Sequence, residues 1–175
     1  MLQMVTLPTE SLRERSIKID RDFLLSSTIQ HFVQQLIEKM YESDGVGIAA
    51  SQVGKNIRLC IIGKSALQID YKTRSGNTRF KKANLDPNSD LILVNPIWTK
   101  TTIKKDWDNE GCLSVPKTYG KVRRYKNISV KALNKDGQEI NFEANNFFAR
   151  VIQHEIDHLD GVLFIDKAKD IYTVE

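Results

Sequence analysis

The stretch His154-Glu155-Ile156-Asp157-His158 constrains the fold more than any other part of this chain. It sets two imidazoles four residues apart with a glutamate beside the first, in a segment where Phe147, Phe148, Val151, Ile152 and Ile156 recur at helical spacing. On a helix, positions i and i+4 stack on one face, so both rings reach a single cation while Glu155 leans toward a water held there. An apolar stripe on the same helix buries it, and the rest of the chain must wrap around an element that carries a metal site and its own general base. Two surface histidines on a solvated helix would share this spacing, but the chain has only three histidines in all.

Such a site needs a third ligand. The motif runs on to Gly161 in the manner of one large metalloprotease class, then puts Phe164 where that class has its last histidine. Beyond His158 the acidic residues are Asp160, Asp166, Asp170 and Glu175, with too few residues between them to fold another helix back onto the ion. The ligand is therefore expected upstream. His31 falls on the polar side of an early helix, and Cys60 lies in an apolar run where a small buried thiol is the default. Cys112 differs, because it sits in Glu110-Gly111-Cys112-Leu113-Ser114-Val115-Pro116, read here as an irregular segment able to bring thiol and backbone close to an ion.

Periodicity sketches the remaining elements. Ile29, Phe32, Val33, Leu36, Ile37, Met40 and Tyr41 predict an amphipathic helix ending near Ser43, with Ser26 and Ser27 as candidate caps and Asp44-Gly45 as a breaker. Apolar runs at 57–62, 91–94, 128–133 and 140–142 read as strands, the last two joined as a hairpin through Asn134-Lys135-Asp136-Gly137. Gly161 closes the late helix as a left-handed cap. The expected class is α+β: antiparallel strands packed around a buried C-terminal helix carrying the His-Glu-x-x-His motif, plus an N-terminal amphipathic helix, in one domain over 1–175. At 41% hydrophobic and 27% charged, 175 residues suffice for a sizeable core. No apolar run approaches a bilayer span, and Glu10, Glu14 and Asp20 near the start fit neither a secretory nor a transit peptide. Two distant cysteines, one an expected ligand, point to a reducing compartment. A net charge of +4 is only mildly basic and does not by itself indicate nucleic acid.

Three runs together resemble one family, the peptide deformylases: Gly45-Val46-Gly47-Ile48-Ala49-Ala50-Ser51-Gln52-Val53-Gly54, the Glu110 to Pro116 segment, and Gln153-His154-Glu155-Ile156-Asp157-His158-Leu159-Asp160-Gly161. They stand in the family's order and separation, and Leu7-Pro8 with Leu12-Arg13 is similar to the family's opening. The resemblance implies a metal-dependent hydrolase that removes the formyl group from N-formylmethionine at the start of newly made polypeptides, releasing formate. Cys112, His154 and His158 would hold one divalent ion, Fe(II) physiologically, with Zn(II), Ni(II) or Co(II) in preparations; on ligand chemistry alone, two nitrogens and one sulfur suit zinc at least as well. Glu155 would take the proton of the attacking water and return it to the departing amine. The Gln52 amide and the Leu113 backbone N–H would donate to the carbonyl oxygen as it gains charge, a contribution of about 3 kcal/mol from the amide.

Substrate contacts follow from the same likeness. Gly45 and Gly47 bracket Val46, and glycines there admit a second backbone or a positive φ. A peptide would add as a strand at that edge, using the Val46 N–H and the Gly47 carbonyl, while its methionine side chain enters a pocket matched to Val46, Phe147 and Val151. Arg150 stands on the same helix where relatives also carry an aliphatic residue, and makes the rim more polar. Glu110 and Gly111 belong to the cysteine loop on the substrate side, Glu110 pairing with Arg124 to hold it, unless that pair is only a solvent ion pair.

The implied partners are N-formylmethionyl nascent peptides and a transient contact with the ribosome, without DNA or membrane, in a bacterial-type cytoplasm. The stretch 63–90 reads as a solvated loop, with a basic, aromatic-bearing RNA contact around Tyr71 to Lys82 as the sharper alternative. After Asp166 nine residues remain, fewer than the long basic helix through which some deformylases dock on ribosomes. A peptidase cutting internal amides, or a metal-dependent peptide-binding module without turnover, would share parts of this set. The first is disfavoured by the cysteine ligand, the second by the retention of Glu155 and Gln52.

Overall fold

In the computed structural model, residues 2–73 and 85–175 are described, over 70–73 at the level of the backbone alone. Five antiparallel strands form the main sheet in the order β1-β2-β3-β6-β7: β1 Gly47–Ala49, β2 Leu59–Ile62, β3 Leu91–Lys100, β6 Asn127–Leu133 and β7 Glu139–Asn145. A smaller antiparallel sheet has the order β4-β5-β8, from β4 Lys105–Cys112, β5 Val115–Tyr125 and β8 Lys169–Thr173. Short α1 (Arg21–Leu25) precedes α2 (Ser27–Glu42); α3 spans Lys64–Thr73 and α4 spans Asn146–Leu159.

The main sheet is covered on both faces, which is why its inner strands are continuous apolar runs rather than alternating ones. Leu59, Ile61, Ile92 and Val94 face α2, packing with Phe32, Val33, Leu36 and Met40. Cys60, Ile62, Leu91 and Leu93 point the other way, into a cluster with Phe148, Val151, Ile152, Ile156 and Leu159 of α4. Helix α4 thus lies between the main sheet and the small one, whose Val122 packs with Leu163 and Phe164 just beyond the helix. Ser26 caps α2 by accepting from the Ile29 N–H at 3.5 Å. Helix α4 ends as the Gly161 signal predicts: Gly161 has φ 73°, its N–H donates to His158 O and the Val162 N–H donates to Asp157 O. A Cβ at Gly161 would stand 2.3 Å from Arg13 O, so the N-terminal segment also requires glycine there. The β6–β7 hairpin forms at the predicted turn, where the Asn134 N–H donates to Gln138 O at 2.9 Å.

Two expectations are corrected. The 63–90 stretch is not simply a loop: α3 occupies Lys64–Thr73, because Ala66 and Leu67 bury against the α4 side of the core. Lys72 lies on that helix, while Arg79, Lys82 and the rest of 74–84 lie outside the described residues. The cysteine segment is irregular only in part: Glu110, Gly111 and Cys112 finish β4, Leu113 and Ser114 form a turn, and Val115 and Pro116 begin β5, with the register shifting between Gly111 and Cys112.

Candidate metal and catalytic site

Three elements carry the ligand atoms. Cys112 closes β4 after the bulge, and His154 and His158 stand one turn apart on α4 with ring centroids 5.0 Å apart. The Cys112 Sγ is 3.2 Å from His158 Nε2, and one ligand atom from each of the three residues lies within 4.8 Å of the others. Side chains separated by over forty residues thus converge at distances suited to one transition-metal ion. The His154 Nδ1 lies 2.9 Å from Glu110 Oε2, so a proton on Nδ1 is held by the acid while Nε2 is the ring atom left to act as a ligand. His158 Nδ1 is buried and has no partner among the described residues. Donor chemistry and spacing fit a divalent cation.

Behind the ligands lies a buried charge network. Arg124 grips Glu110 with two hydrogen bonds, Nε to Oε1 at 2.9 Å and a terminal nitrogen to Oε2 at 2.8 Å, and also donates to Asp157. Asp157 in turn accepts from Lys167 Nζ at 2.7 Å. Both Arg124 and Glu110 are buried, so the pair is not a solvent-exposed ion pair of little worth. Arg150 donates to Glu110 Oε1 at 2.7 Å, to Val122 O at 2.9 Å and to Asp106 O at 3.0 Å. Although it borders the cavity, its guanidinium is turned toward the acid.

Electrostatics follow from burial and partners. Burial alone would raise the Glu110 carboxyl, but hydrogen bonds from Arg124 and His154 overcome it and hold the group well below the usual range. Burial disfavours an imidazolium at His154, yet its contacts with Cys112 and Glu110 prevail and raise it to about 10. His158, with no such acid, is held well below the ordinary value by burial and by the neighbouring His154. Glu155 is pushed up to about 7 by burial, a value matched to taking and returning a proton near neutrality.

Gln52 comes from a 3-10 turn, Ala50–Val53, that follows β1. Its Oε1 accepts the Ala49 N–H at 2.8 Å, and its Nε2 donates to Ser114 Oγ at 3.2 Å while lying 3.6 Å from Cys112 Sγ. The amide is therefore oriented with its NH2 toward the ligands. Leu113 lies in the turn between β4 and β5. Gly47 is needed for space, not for its dihedral freedom: a Cβ there would fall 2.6 Å from Glu155 Oε1. β1 is an edge strand of the main sheet, open to pairing on the side away from β2.

A cavity of about 480 Å³ joins these groups. Every site residue read from the sequence borders it except His158, which lies behind the others. Val46, Phe147 and Val151 supply apolar wall. Three contributors were missed in the sequence. Ser114 orients Gln52; Asp157 sits inside the motif and anchors Arg124; Tyr119 lines the cavity from β5. A signal existed only for Asp157, an acid on the buried side of a helix.

The model for the family described as polypeptide deformylase matches residues 1–173. A peptide deformylase of Syntrophomonas wolfei is 35% identical over 168 residues, covering 95% of this chain and 92% of that protein. Peptide deformylase 1 of Vibrio vulnificus is 37% identical over 169 residues, covering 95% of this chain and 85% of its own length. Among solved structures, the peptide deformylase of Thermotoga maritima superposes with a TM-score of 0.78 at 30% identity, covering 97% of this chain and 98% of that one.

Proposed function

This chain belongs to the polypeptide deformylase family, the metal-dependent hydrolases that remove the formyl group from an N-terminal formylmethionine, and on that premise we propose how its own residues carry out the reaction. Cys112, His154 and His158 hold one divalent ion, Fe(II) in the cell, with Zn(II), Ni(II) or Co(II) able to replace it. When bound, such an ion supplies Lewis acidity toward a water molecule and the formyl oxygen.

Glu155 takes the proton of the attacking water on its carboxylate and delivers it to the nitrogen of the departing amine, so formate leaves from a free amino terminus. The Gln52 Nε2–H and the Leu113 backbone N–H donate to the formyl oxygen as it becomes negative. The peptide lies along the open edge of β1, with Gly45, Val46, Gly47 and Gly111 giving its backbone room and polar partners. Its methionine side chain occupies the pocket of Val46, Phe147 and Val151. Glu110, supported by Arg124 and Arg150, fixes the His154 ring and the base of the cysteine turn. The whole chain serves as one catalytic domain, acting in a bacterial-type cytoplasm on nascent peptides during transient contact with the ribosome.

One observation carries this reading: the Cys112 thiol, brought from the far end of β4, meets both imidazoles of α4. The test is formate release from formyl-Met-Ala-Ser by anaerobically loaded protein, with metal measured on the same sample. About one ion per chain and turnover that requires the formyl group are expected. Hydrolysis of an unformylated peptide at a similar rate would refute the reaction, and equal activity of anaerobic iron and zinc preparations would refute the ferrous preference.

A further inference from the structure

The small sheet has two faces, and the mechanism uses the inner one and the end nearest the cavity, where Gly111 pairs with Tyr119. On β5 the alternation is sharp: Gly120, Val122 and Arg124 are buried, whereas Tyr119, Lys121 and Arg123 point outward. Register places Trp107 opposite Arg123 and Asn109 opposite Lys121 on β4, and Lys169 opposite Lys121 and Tyr172 opposite Tyr119 on β8. The outward face therefore interleaves the cations Lys121, Arg123 and Lys169 with the rings of Trp107, Tyr119 and Tyr172.

These side chains are already arranged as a platform. Trp107, Tyr119 and Tyr172 are 42%, 38% and 46% exposed, unusual for three large rings on one small sheet. Tyr119 and Tyr172 stack with centroids 5.7 Å apart, and Lys169 Nζ stands 5.3 Å over the Trp107 ring. A groove of about 450 Å³ runs across the face between Trp107, Lys121 and Lys169. Two acids border it, and both are engaged: Asp170 pairs with Lys121 at 3.2 Å, and Asp108 lies 3.8 Å from Arg150 Nε. Arg123 and Lys169 have no acidic partner among the described residues.

We infer that this outer face of the β4-β5-β8 sheet binds single-stranded RNA. Cations track a phosphate backbone and exposed rings stack bases, and sheets that present two or three aromatics in this way are a recurrent means of holding unpaired nucleotides. From Tyr119 to Arg123 the strand extends about 13 Å, room for a few nucleotides. A neutral peptide would gain from the rings but not from the unpartnered cations, so charge complementarity favours the polyanion. Tyr119 and Asn109 also border the catalytic cavity, so RNA held here would lie beside its mouth without filling it. The inference rests on the sheet alone and stands or falls separately from the hydrolytic reaction.

The test measures anisotropy of a labelled single-stranded RNA of about twelve nucleotides with the metal-loaded full chain, at several salt concentrations. Binding should weaken with salt with a slope of about −1.4 in log K against log salt, as for about two phosphate contacts. The double variant Arg123→Glu/Lys169→Glu should weaken it at least about tenfold, and Trp107→Ala should weaken it by about tenfold while Trp107→Phe restores it. Hydrolysis of formyl-Met-Ala-Ser should stay unchanged in all of them, which also shows that they are folded; if the Glu pair misfolds, Arg123→Gln/Lys169→Gln carries the same test. Affinity for RNA unchanged by these substitutions overturns the inference. So does duplex RNA binding as tightly and with indifference to Trp107→Ala, which would mean bare attraction of a polyanion. A higher KM for a formylated octapeptide with RNA affinity intact would assign the face to the substrate instead.

Discussion

Glu155 shows what the site costs the protein at the level of one side chain. Its carboxyl is buried, and one oxygen lacks a hydrogen-bond partner among the described residues. Because burial raises its folded value to about 7 from 4.5, the ionised form is disfavoured in the folded chain. The penalty is absent below about pH 4.5, grows as the pH rises and is complete above about 7, where it amounts to about 3 kcal/mol. Glu155→Gln should therefore melt higher than the parent at pH 8 in metal-free protein, by a margin that vanishes near pH 4.5, while hydrolysis is abolished and the metal stays bound. Thermal melts across that range check the stability claim, and a lower melting temperature at pH 8 would contradict it. Gln52 is the complementary case. Gln52→Leu should reduce kcat by about a hundredfold to a thousandfold with the ion retained, since in the proposed mechanism it removes one donor to the developing oxyanion.

At the scale of elements, the C-terminal end of α4 is held by sequence features that have nothing to do with the ion. Gly161 turns the chain and lets the Arg13 carbonyl pass within the space a methyl group would need. Gly161→Ala should lose about 2 kcal/mol or more, read as a lower urea midpoint with an unchanged slope. This end of the helix was legible because a positive-φ cap has a local signature. The main-sheet strands were legible as well, since a sheet covered by α2 and α4 needs uninterrupted apolar runs at 59–62 and 91–94. The small sheet was not. In β4, Lys105-Asp106-Trp107-Asp108-Asn109 is exposed throughout, so no alternation marks it, and its pairing with β5 depends on contacts distant in sequence. Nor could α3 be seen, because among its described side chains only Ala66 and Leu67 are buried. The ligands were readable because their spacing and chemistry are strict. The ring of support around Glu110 was read only as one pair, because Arg150 and Asp157 join it through geometry that spacing does not encode.

Across the whole molecule, Glu110 ties the small sheet to α4 through Arg124, Arg150 and His154, so its ionisation is a property of the assembled fold. Its carboxyl titrates below its unfolded value of 4.5. The stability it contributes is complete above that pH and is lost as the pH falls through the depressed folded value. Glu110→Gln should lower stability at pH 7 and flatten the acid limb of the unfolding profile, and should weaken metal retention by about tenfold to a hundredfold. An acid limb as steep as the parent's would contradict this account. Val5 and Leu7 add a different kind of tie: the Val5 N–H donates to Gln52 O at 2.8 Å and the Leu7 N–H to Ser114 O at 3.0 Å, clasping the two turns that carry the proposed oxyanion donors. During translation that clasp has to wait until Ser114 has left the ribosome, and α4 later still. The segment around Val5 and Leu7 thus finds its place only after residues 52 and 114 have been made, and a nascent copy whose α4 has yet to emerge lacks His154, Glu155 and His158 and cannot process a neighbour.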